Sequence, residues 1–162
     1  MSKKDELKKK TYGRSLAKGL LAGLIGGLVA TAAKTLAERI YPPQTHGEPE
    51  APEMLAERAA GHELAGPQKE AATEAIRWGF GALTGAAYGA VVEFYPAATA
   101  KDGAGFGMAL SSLTHGTVLP AMGLAAKPEE LTARERSSEM ATHVVYGVVT
   151  ETVRRVVRRM LG

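Results

Sequence analysis

Apolar residues are gathered into four stretches of the chain, separated by polar, charged or proline-rich segments. Their lengths and spacing predict an all-α protein with four long helices. The helices are predicted at about 15–40, 70–95, 105–126 and 137–160. The first stops before Pro42; the second begins near Pro67, a residue favoured in the first helical turn, and ends before Pro96. A short amphipathic helix is also predicted at about 52–61, and Pro120 should kink the third long helix.

Segment 18–34, KGLLAGLIGGLVATAAK, holds fifteen uncharged residues between two lysines. A helix that crosses a bilayer needs about twenty apolar residues, whereas fifteen rise by only about 22 Å. Lys18 and Lys34 can lay their methylene stems along the helix and place their ammonium groups at the two interfaces. Segment 77–93 repeats the arrangement, again with fifteen uncharged residues between two charges. We therefore expect both segments to span a membrane.

Glycine recurs at every fourth position in both segments. In water, each glycine inside a helix costs about 1 kcal/mol relative to alanine. In a bilayer, small residues four apart let a second helix backbone approach closely. We therefore interpret both series as glycine-zipper packing faces, which favours a membrane protein over a soluble pair of Ala/Gly-rich helices. The packing residues are Gly19, Gly23, Gly27, Gly81, Gly85 and Gly89.

Two other interpretations of the first segment stay open. Its basic start, apolar run and ATA triplet at 30–32 are typical of an export signal. Because the chain begins with Met1, we expect the segment to be retained as a span. The mean hydropathy of the chain, −0.09, is low for a protein with several spans and keeps a soluble helical protein as a rival. Polar tails and a Glu-rich middle lower this average.

Basic residues are concentrated at the two ends of the chain. Seven Lys or Arg lie in the first eighteen residues, and four Arg lie in the last nine. With four spans, both tails share one side with the 94–104 loop, and this side holds twelve Lys or Arg against six in the other two loops. The positive-inside rule then places both termini in the cytoplasm. The chain thus divides into a basic cytoplasmic tail, 1–14, and a membrane domain, 15–162, with an outer loop at 41–69.

Composition restricts the chemistry that the chain can carry. Because there is no Cys, disulfides and thiolate metal sites are excluded. Aromatic residues do not interleave with the basic ones, which argues against nucleic acid as a partner and favours contact of the tails with anionic lipid. GAGFGM at 103–108 lacks the third glycine of a dinucleotide fingerprint, and HELAG at 62–66 lacks the second His of a zinc-protease helix. We expect a non-enzymatic protein.

Five ionisable residues in or near the apolar segments are the candidates for binding or transport. They are Glu93, His115, Glu139, His143 and Glu151. Ionisable groups within a membrane are costly and usually face the interior of a helix bundle. The three residues on the fourth helix are spaced by multiples of four, so they share one face of it.

Three interpretations of these residues stay open. In the structural one, Glu151 pairs with an arginine one turn later, and Glu139 pairs with His143. In the second, the five groups form a proton or ion conduit, because histidine changes its charge near neutral pH. In the third, His115 and His143 are ligands of a haem or a metal. Helix rise argues against this last reading, because it offsets the two histidines by about 10 Å, and we expect no bound metal or cofactor.

Two runs of the chain, HGTVLPAMGL at 115–124 and SEMATHVVYGVVTETVRR at 138–155, resemble the YagU family of small bacterial inner-membrane proteins. The first span, which ends in a Pro-Pro pair, fits the same pattern. The matching residues are His115, Pro120, Met122, Gly123, Leu124, Ser138, Glu139, His143, Glu151, Arg154 and Arg155. The resemblance covers most of the chain outside the basic start and the middle loop, and its motifs carry no catalytic assignment. It implies a multi-pass protein of the bacterial inner membrane.

Taken together, the sequence predicts a non-enzymatic integral membrane protein that acts as a structural or accessory component. Its expected partners are the lipid bilayer and either further copies of itself or the helices of a larger membrane complex. The glycine faces are the surfaces expected to pack against those partners.

Overall fold

The computed structural model describes residues 14–44 and 49–162, and all regular secondary structure in these residues is helical. The five α-helices are α1 (Leu16–Ile40), α2 (Ala51–Ala60), α3 (Gly66–Phe94), α4 (Ala104–Leu113) and α5 (Ala133–Met160). A 3₁₀ segment, Pro96–Gly103, joins α3 to α4. The all-α prediction is confirmed. The predicted basic tail, apart from Arg14, lies outside the described residues, as do residues 45–48 of the predicted outer loop.

Helix α1 lies between α3 and α5 and contacts both. Helix α4 packs on α5, and the short helix α2 packs on the first turns of α3. Charged side chains hold this last contact, since Lys69 Nζ lies 2.5 Å from a Glu53 carboxylate oxygen and Arg77 pairs with Glu50. The hydrogen bond that Lys69 donates to Glu53 is the largest cause that raises the pKa of Lys69 above its usual value. The chain is thus a bundle of four helices with a polar cap, formed by α2, at one end.

The two glycine series lie against each other within this one chain. A Cβ atom added to Gly23 would lie 2.8 Å from the Cα atom of Gly89, closer than real Cβ atoms come. One added to Gly85 would lie 2.6 Å from the Cα atom of Gly27. No side chain fits between the two backbones. Each series is buried by the other, so the two glycine faces pack against each other within this chain.

The third predicted span is shorter than 105–126. Helix α4 continues through a π-helical turn, Thr114–Val118, and a last short piece, Leu119–Ala121. Beyond it the chain turns at Gly123, whose φ of +67° lies in the left-handed region that suits glycine. The π turn directly precedes Pro120, which has no N–H to donate to the preceding turn. In the π turn, the N–H of Leu119 donates to the carbonyl of Thr114, five residues earlier, which is the hydrogen bond that defines a π turn.

The fourth predicted span begins earlier than residue 137. Helix α5 begins at Ala133 because Thr132 and Glu135 form a capping box: the Thr132 hydroxyl accepts from the Glu135 N–H, and the Glu135 carboxylate accepts from the Thr132 N–H. The added turn carries two basic residues, Arg134 and Arg136, at the start of the helix.

Several polar side chains lie inside the bundle beside apolar ones such as Leu124 (1% exposed), and many large apolar side chains lie outside it. Ser138, Thr150 and Glu151 have 0% of their surface exposed. Exposed apolar residues include Leu16 (52%), Leu83 (71%), Val91 (48%), Leu113 (59%) and Val156 (51%). This distribution departs from that in water-soluble domains, where buried charged residues are rare and large apolar residues form the core.

Among the helices of the described residues, α1 alone is long and apolar enough to cross a membrane by length and composition. It lies near the N-terminus. The first predicted span meets this criterion, and the helices of the other three predicted spans do not, so the four-span topology stays a prediction.

Candidate functional site

The predicted ionisable residues form two separate groups along the bundle. His115, Glu139 and His143 meet where the π turn crosses α5. Glu93 and Glu151 lie towards the end of the bundle that carries the chain termini, where each is bound by arginines. About 12 Å of helix rise separates His143 from Glu151. A conduit through all five groups would need a single series of neighbours, and the structure places them in two clusters.

The first group is a compact His–Glu–His cluster. His115 Nε2 lies 3.2 Å from Glu139 Oε1, and His143 Nδ1 lies 2.9 Å from the same oxygen. The two imidazole rings meet edge to face, with centroids 5.1 Å apart and an interplanar angle of 66°. One donor atom from each of the three residues lies within 4.8 Å of the other two. The pairing of Glu139 with His143 agrees with the structural interpretation, whereas the approach of His115 brings in a third donor.

Hydrogen positions around Glu139 follow from its neighbours. His143 Nδ1 lies 2.9 Å from the main-chain carbonyl oxygen of Glu139. A carbonyl oxygen can only accept, so Nδ1 carries the hydrogen, and the lone pair of the neutral imidazole is on Nε2. Glu139 Oε1 is buried and has no hydrogen-bond partner of acceptable geometry in the described part of the chain. A buried carboxylate oxygen therefore lies close to two imidazoles without being satisfied by either.

The structure corrects the expected offset of about 10 Å between His115 and His143. That prediction measured the height of His115 from Lys127, on the assumption that the helix continued that far. The helix ends at Ala121, so His115 lies near the helix end and at the level of His143. A haem held between the two imidazoles is disfavoured for a different reason, because the Glu139 carboxylate fills the space that the porphyrin would need.

A cavity of about 760 Å³ lies beside the cluster, between α1, α3, α4 and α5. All three cluster residues line it. The wall from α3 contributes the apolar rings of Trp78 and Phe80. Lys34 of α1 also lines it, and its ammonium group is paired with Glu38. The cavity is large enough for water or a small molecule to reach the cluster.

The second group is saturated with hydrogen bonds. Glu151 accepts two from Arg154 (2.7 and 2.9 Å), one from Arg155 (2.5 Å) and one from the Tyr88 hydroxyl (2.9 Å). Glu93 accepts from the main-chain N–H of Ser15 (2.8 Å) and from Arg158 (2.7 Å). The pairs of Glu151 are those of the structural interpretation, whereas the pair of Glu93 with Arg158 was not predicted. Neither carboxylate has an obvious free position for a ligand.

Sequence reasoning missed the two tyrosines that line the interior. Tyr88 stacks on Phe106 with ring centroids 4.2 Å apart, and its hydroxyl reaches Glu151. Tyr146 donates to the Gly81 carbonyl at 2.6 Å and bonds to the Thr84 hydroxyl at 2.8 Å. The available signal was the position of each tyrosine directly beside a glycine of a close-packed helix, where a side chain with a polar end faces the interior.

Neither the curated proteins nor the solved structures contain a match to this chain. A family model described as "Protein of unknown function (DUF1440)" matches residues 28–152. This range includes the second half of α1, the whole of α3 and α4, and α5 as far as Thr152, with all three residues of the His–Glu–His cluster. Since the match covers most of the sequence, the chain belongs to the DUF1440 family.

Proposed function

We propose that this protein is a non-enzymatic integral membrane protein, a YagU-like bundle of the bacterial inner membrane that acts as a structural or accessory component. Its four long helices would span the bilayer with both termini in the cytoplasm. The observation that carries this proposal is the set of large apolar side chains on the outside of the bundle, together with the buried charged pair of Glu151 and Arg154 inside it. In water such a surface would be a strong aggregation hazard, whereas lipid covers it at no cost.

The charges on α5 do not argue against its insertion in a bilayer. Glu151 is fully buried and Arg154 is 7% exposed, and the two side chains bind each other. Charged residues in membrane helices face the bundle interior and pair with one another, as these do. Val156, by contrast, is 51% exposed on the outside of the same helix. A criterion based on composition treats every charged residue as unfavourable for a membrane span, whether its side chain faces the bundle interior or the lipid.

The two ends of the bundle support the proposed orientation. The N-terminal end of α1, the C-terminal end of α3 and the C-terminal end of α5 meet at one end, where the Glu93 carboxylate accepts from both Ser15 and Arg158. This end carries the basic tails, so the positive-inside rule assigns it to the cytoplasm. The polar cap formed by α2 and the first turns of α3 would then lie outside.

The outer apolar surface is the one left for a partner, since the glycine faces are used within the chain. Helix α1 exposes Leu20 (39%) and Leu24 (37%) on this surface, and α3 exposes Leu83 (71%). In a membrane, lipid tails or a helix of another subunit would cover these side chains. An accessory role in a larger complex would use this surface.

Single-cysteine labelling tests the topology cleanly, because the chain has no cysteine of its own. We would introduce Glu63→Cys, Ala97→Cys or Glu129→Cys, all at exposed loop positions, and add a membrane-impermeant maleimide to intact spheroplasts. The first and third variants should label from outside, and Ala97→Cys only after permeabilisation. The cysteine-free parent is the control. Equal labelling of all three, or a chain that stays in the supernatant after ultracentrifugation without detergent, would contradict the proposal.

A further inference from the structure

We propose that His115, Glu139 and His143 bind one divalent first-row transition-metal ion, with Zn²⁺ as the reference ion. This goes beyond the membrane role proposed above and does not depend on it. Two imidazoles and one carboxylate are a common set of protein ligands for such ions. Here they come from two helices and converge, with one donor atom of each within 4.8 Å of the others.

The donor spacing fits a shared ion. One donor pair, His115 Nε2 and Glu139 Oε1, is 3.2 Å apart, and one ligand atom from each of the three residues lies within 4.8 Å of the others. Ligands bound at about 2.1 Å are about 3.0 Å apart in octahedral geometry and about 3.4 Å apart in tetrahedral geometry. A plain ion pair between Glu139 and a histidinium would also give such distances. The distances alone therefore do not distinguish a metal site from an ion pair. The hydrogen bonding of Glu139 Oε1 does.

Glu139 Oε1 is the observation that favours an ion. The atom is buried and accepts no hydrogen bond of acceptable geometry from the described residues. His143 Nδ1 lies 2.9 Å from both Oε1 and the main-chain carbonyl oxygen of Glu139, and the geometry satisfies hydrogen-bond criteria only at the carbonyl. An unsatisfied buried carboxylate oxygen is costly, and a bound cation removes that cost.

The hydrogen bond of His143 is the one expected for a metal ligand. Histidines that bind metals usually donate their second ring N–H to a carboxylate or a main-chain carbonyl, which fixes the tautomer and the ring orientation. His143 Nδ1 donates to the Glu139 carbonyl at 2.9 Å and leaves Nε2 as the lone-pair atom. The i, i+4 spacing of Glu139 and His143 places both on one face of α5.

The π turn is what brings His115 to the cluster. A π turn holds one more residue than an α turn, and such turns are frequent at functional sites. His115 lies in the turn Thr114–Val118, and its Nε2 reaches Glu139 on the neighbouring helix. A regular α-helix through this stretch would direct the side chain elsewhere, because adjacent residues differ by about 100° around the axis.

The cavity leaves coordination positions open for other ligands. Zn²⁺ and similar first-row ions need at least four ligands, and the protein supplies three. In zinc proteins with three protein ligands, water or a substrate occupies the fourth position. All three donors line the cavity of about 760 Å³, so water or a small anion can complete the coordination. The absence of Cys and the nitrogen-rich donor set favour Zn²⁺, Co²⁺, Ni²⁺ or Fe²⁺ over Cu⁺ and over Mg²⁺ or Ca²⁺.

The test is a metal titration of the full-length protein, purified in detergent without a histidine tag and treated with a chelator. Zn²⁺ is added in competition with a chromophoric chelator, and elemental analysis gives the stoichiometry. We expect one Zn²⁺ per chain. His115→Ala, Glu139→Gln and His143→Ala should each weaken Zn²⁺ binding by at least about 10–100-fold, which is the loss seen when even an outer-shell partner is removed. Co²⁺ should give visible d–d bands in the parent protein.

The matched control is His62→Ala, which removes an exposed histidine from the loop after α2. It should bind Zn²⁺ as the parent does. Size-exclusion profiles identify any variant that fails to fold, and the Co²⁺ spectrum tests the parent without any variant. A parent with neither stoichiometric Zn²⁺ nor Co²⁺ bands, or a His62→Ala loss as large as that of His115→Ala, would overturn the proposal. Because topology is read by cysteine labelling, failure of this site and failure of the membrane role are distinguishable.

Discussion

Gly85 shows what a single residue contributes to this bundle. A Cβ atom at this position would lie 2.6 Å from the Cα atom of Gly27, and both are main-chain positions that cannot turn aside. Gly85→Ala should therefore force α1 and α3 apart and lower the free energy of unfolding by about 1–3 kcal/mol, the usual cost of overpacking. Thermal unfolding in detergent measures the change.

Gly79 in the same helix is the matched control. A Cβ atom there would have no atom within 4 Å, so Gly79→Ala should leave the melting temperature unchanged or raise it, because alanine favours a helix. If the two alanine variants melted together, the close contact between α1 and α3 would not limit stability.

At the scale of the helix, the start of α5 depends on a local capping box. The Thr132 hydroxyl accepts from the N–H of Glu135 at 3.2 Å, and the Glu135 carboxylate accepts from the N–H of Thr132 at 2.9 Å. Thr132→Ala should lower the free energy of unfolding by about 1 kcal/mol, the usual cost of losing an N-cap. Thr152→Ala removes an exposed threonine within the same helix and should not lower it. Denaturation of both variants in detergent decides the point, and an equal loss in both would mean that the cap adds nothing.

Helix bounds were predictable where proline marks them. Residues around Pro42, Pro67 and Pro96 end or begin helices in the sequence, and α1 and α3 follow these limits closely. The end of α4 was not predictable in this way, because Pro120 signals a disturbance of the helix but not its type. In the structure, the helical stretch continues after α4 through a π turn and ends at Ala121, earlier than predicted.

The candidate site was predictable only in part for the same reason. Glu139 and His143 share a helix, so their pairing follows from i, i+4 spacing alone. The approach of His115 to Glu139 depends on the π turn and on where the helical stretch after α4 ends. Hydrophobic periodicity predicts neither feature. The sequence therefore placed the right residues in the candidate set while giving the two histidines different heights.

Across the whole molecule, the two ends differ in how they are held. At the end with the chain termini, Glu93 joins three helices, because it lies at the end of α3 and binds Ser15 before α1 and Arg158 near the end of α5. Lys18 adds two hydrogen bonds to the last main-chain carbonyls, of Leu161 and Gly162. The end with the His–Glu–His cluster instead surrounds an open cavity. Hydrogen bonds between helices hold the end with the chain termini, and the end with the His–Glu–His cluster has a cavity that a ligand can enter.

This division predicts that stability and metal binding respond to different residues. Among the described residues, Glu93 is the side chain that joins these three helix ends, and losing its part-buried hydrogen bonds to a charged group in Glu93→Ala should cost about 1.5–3 kcal/mol. We expect a clear fall in melting temperature relative to the exposed control Glu63→Ala. Zn²⁺ affinity should stay that of the parent, because about 28 Å of helix rise separates Glu139 from Arg158. A Glu93→Ala protein that kept its melting temperature but lost Zn²⁺ binding would contradict this prediction. It would show that the hydrogen bonds of Glu93 support the His–Glu–His cluster at the other end of the bundle.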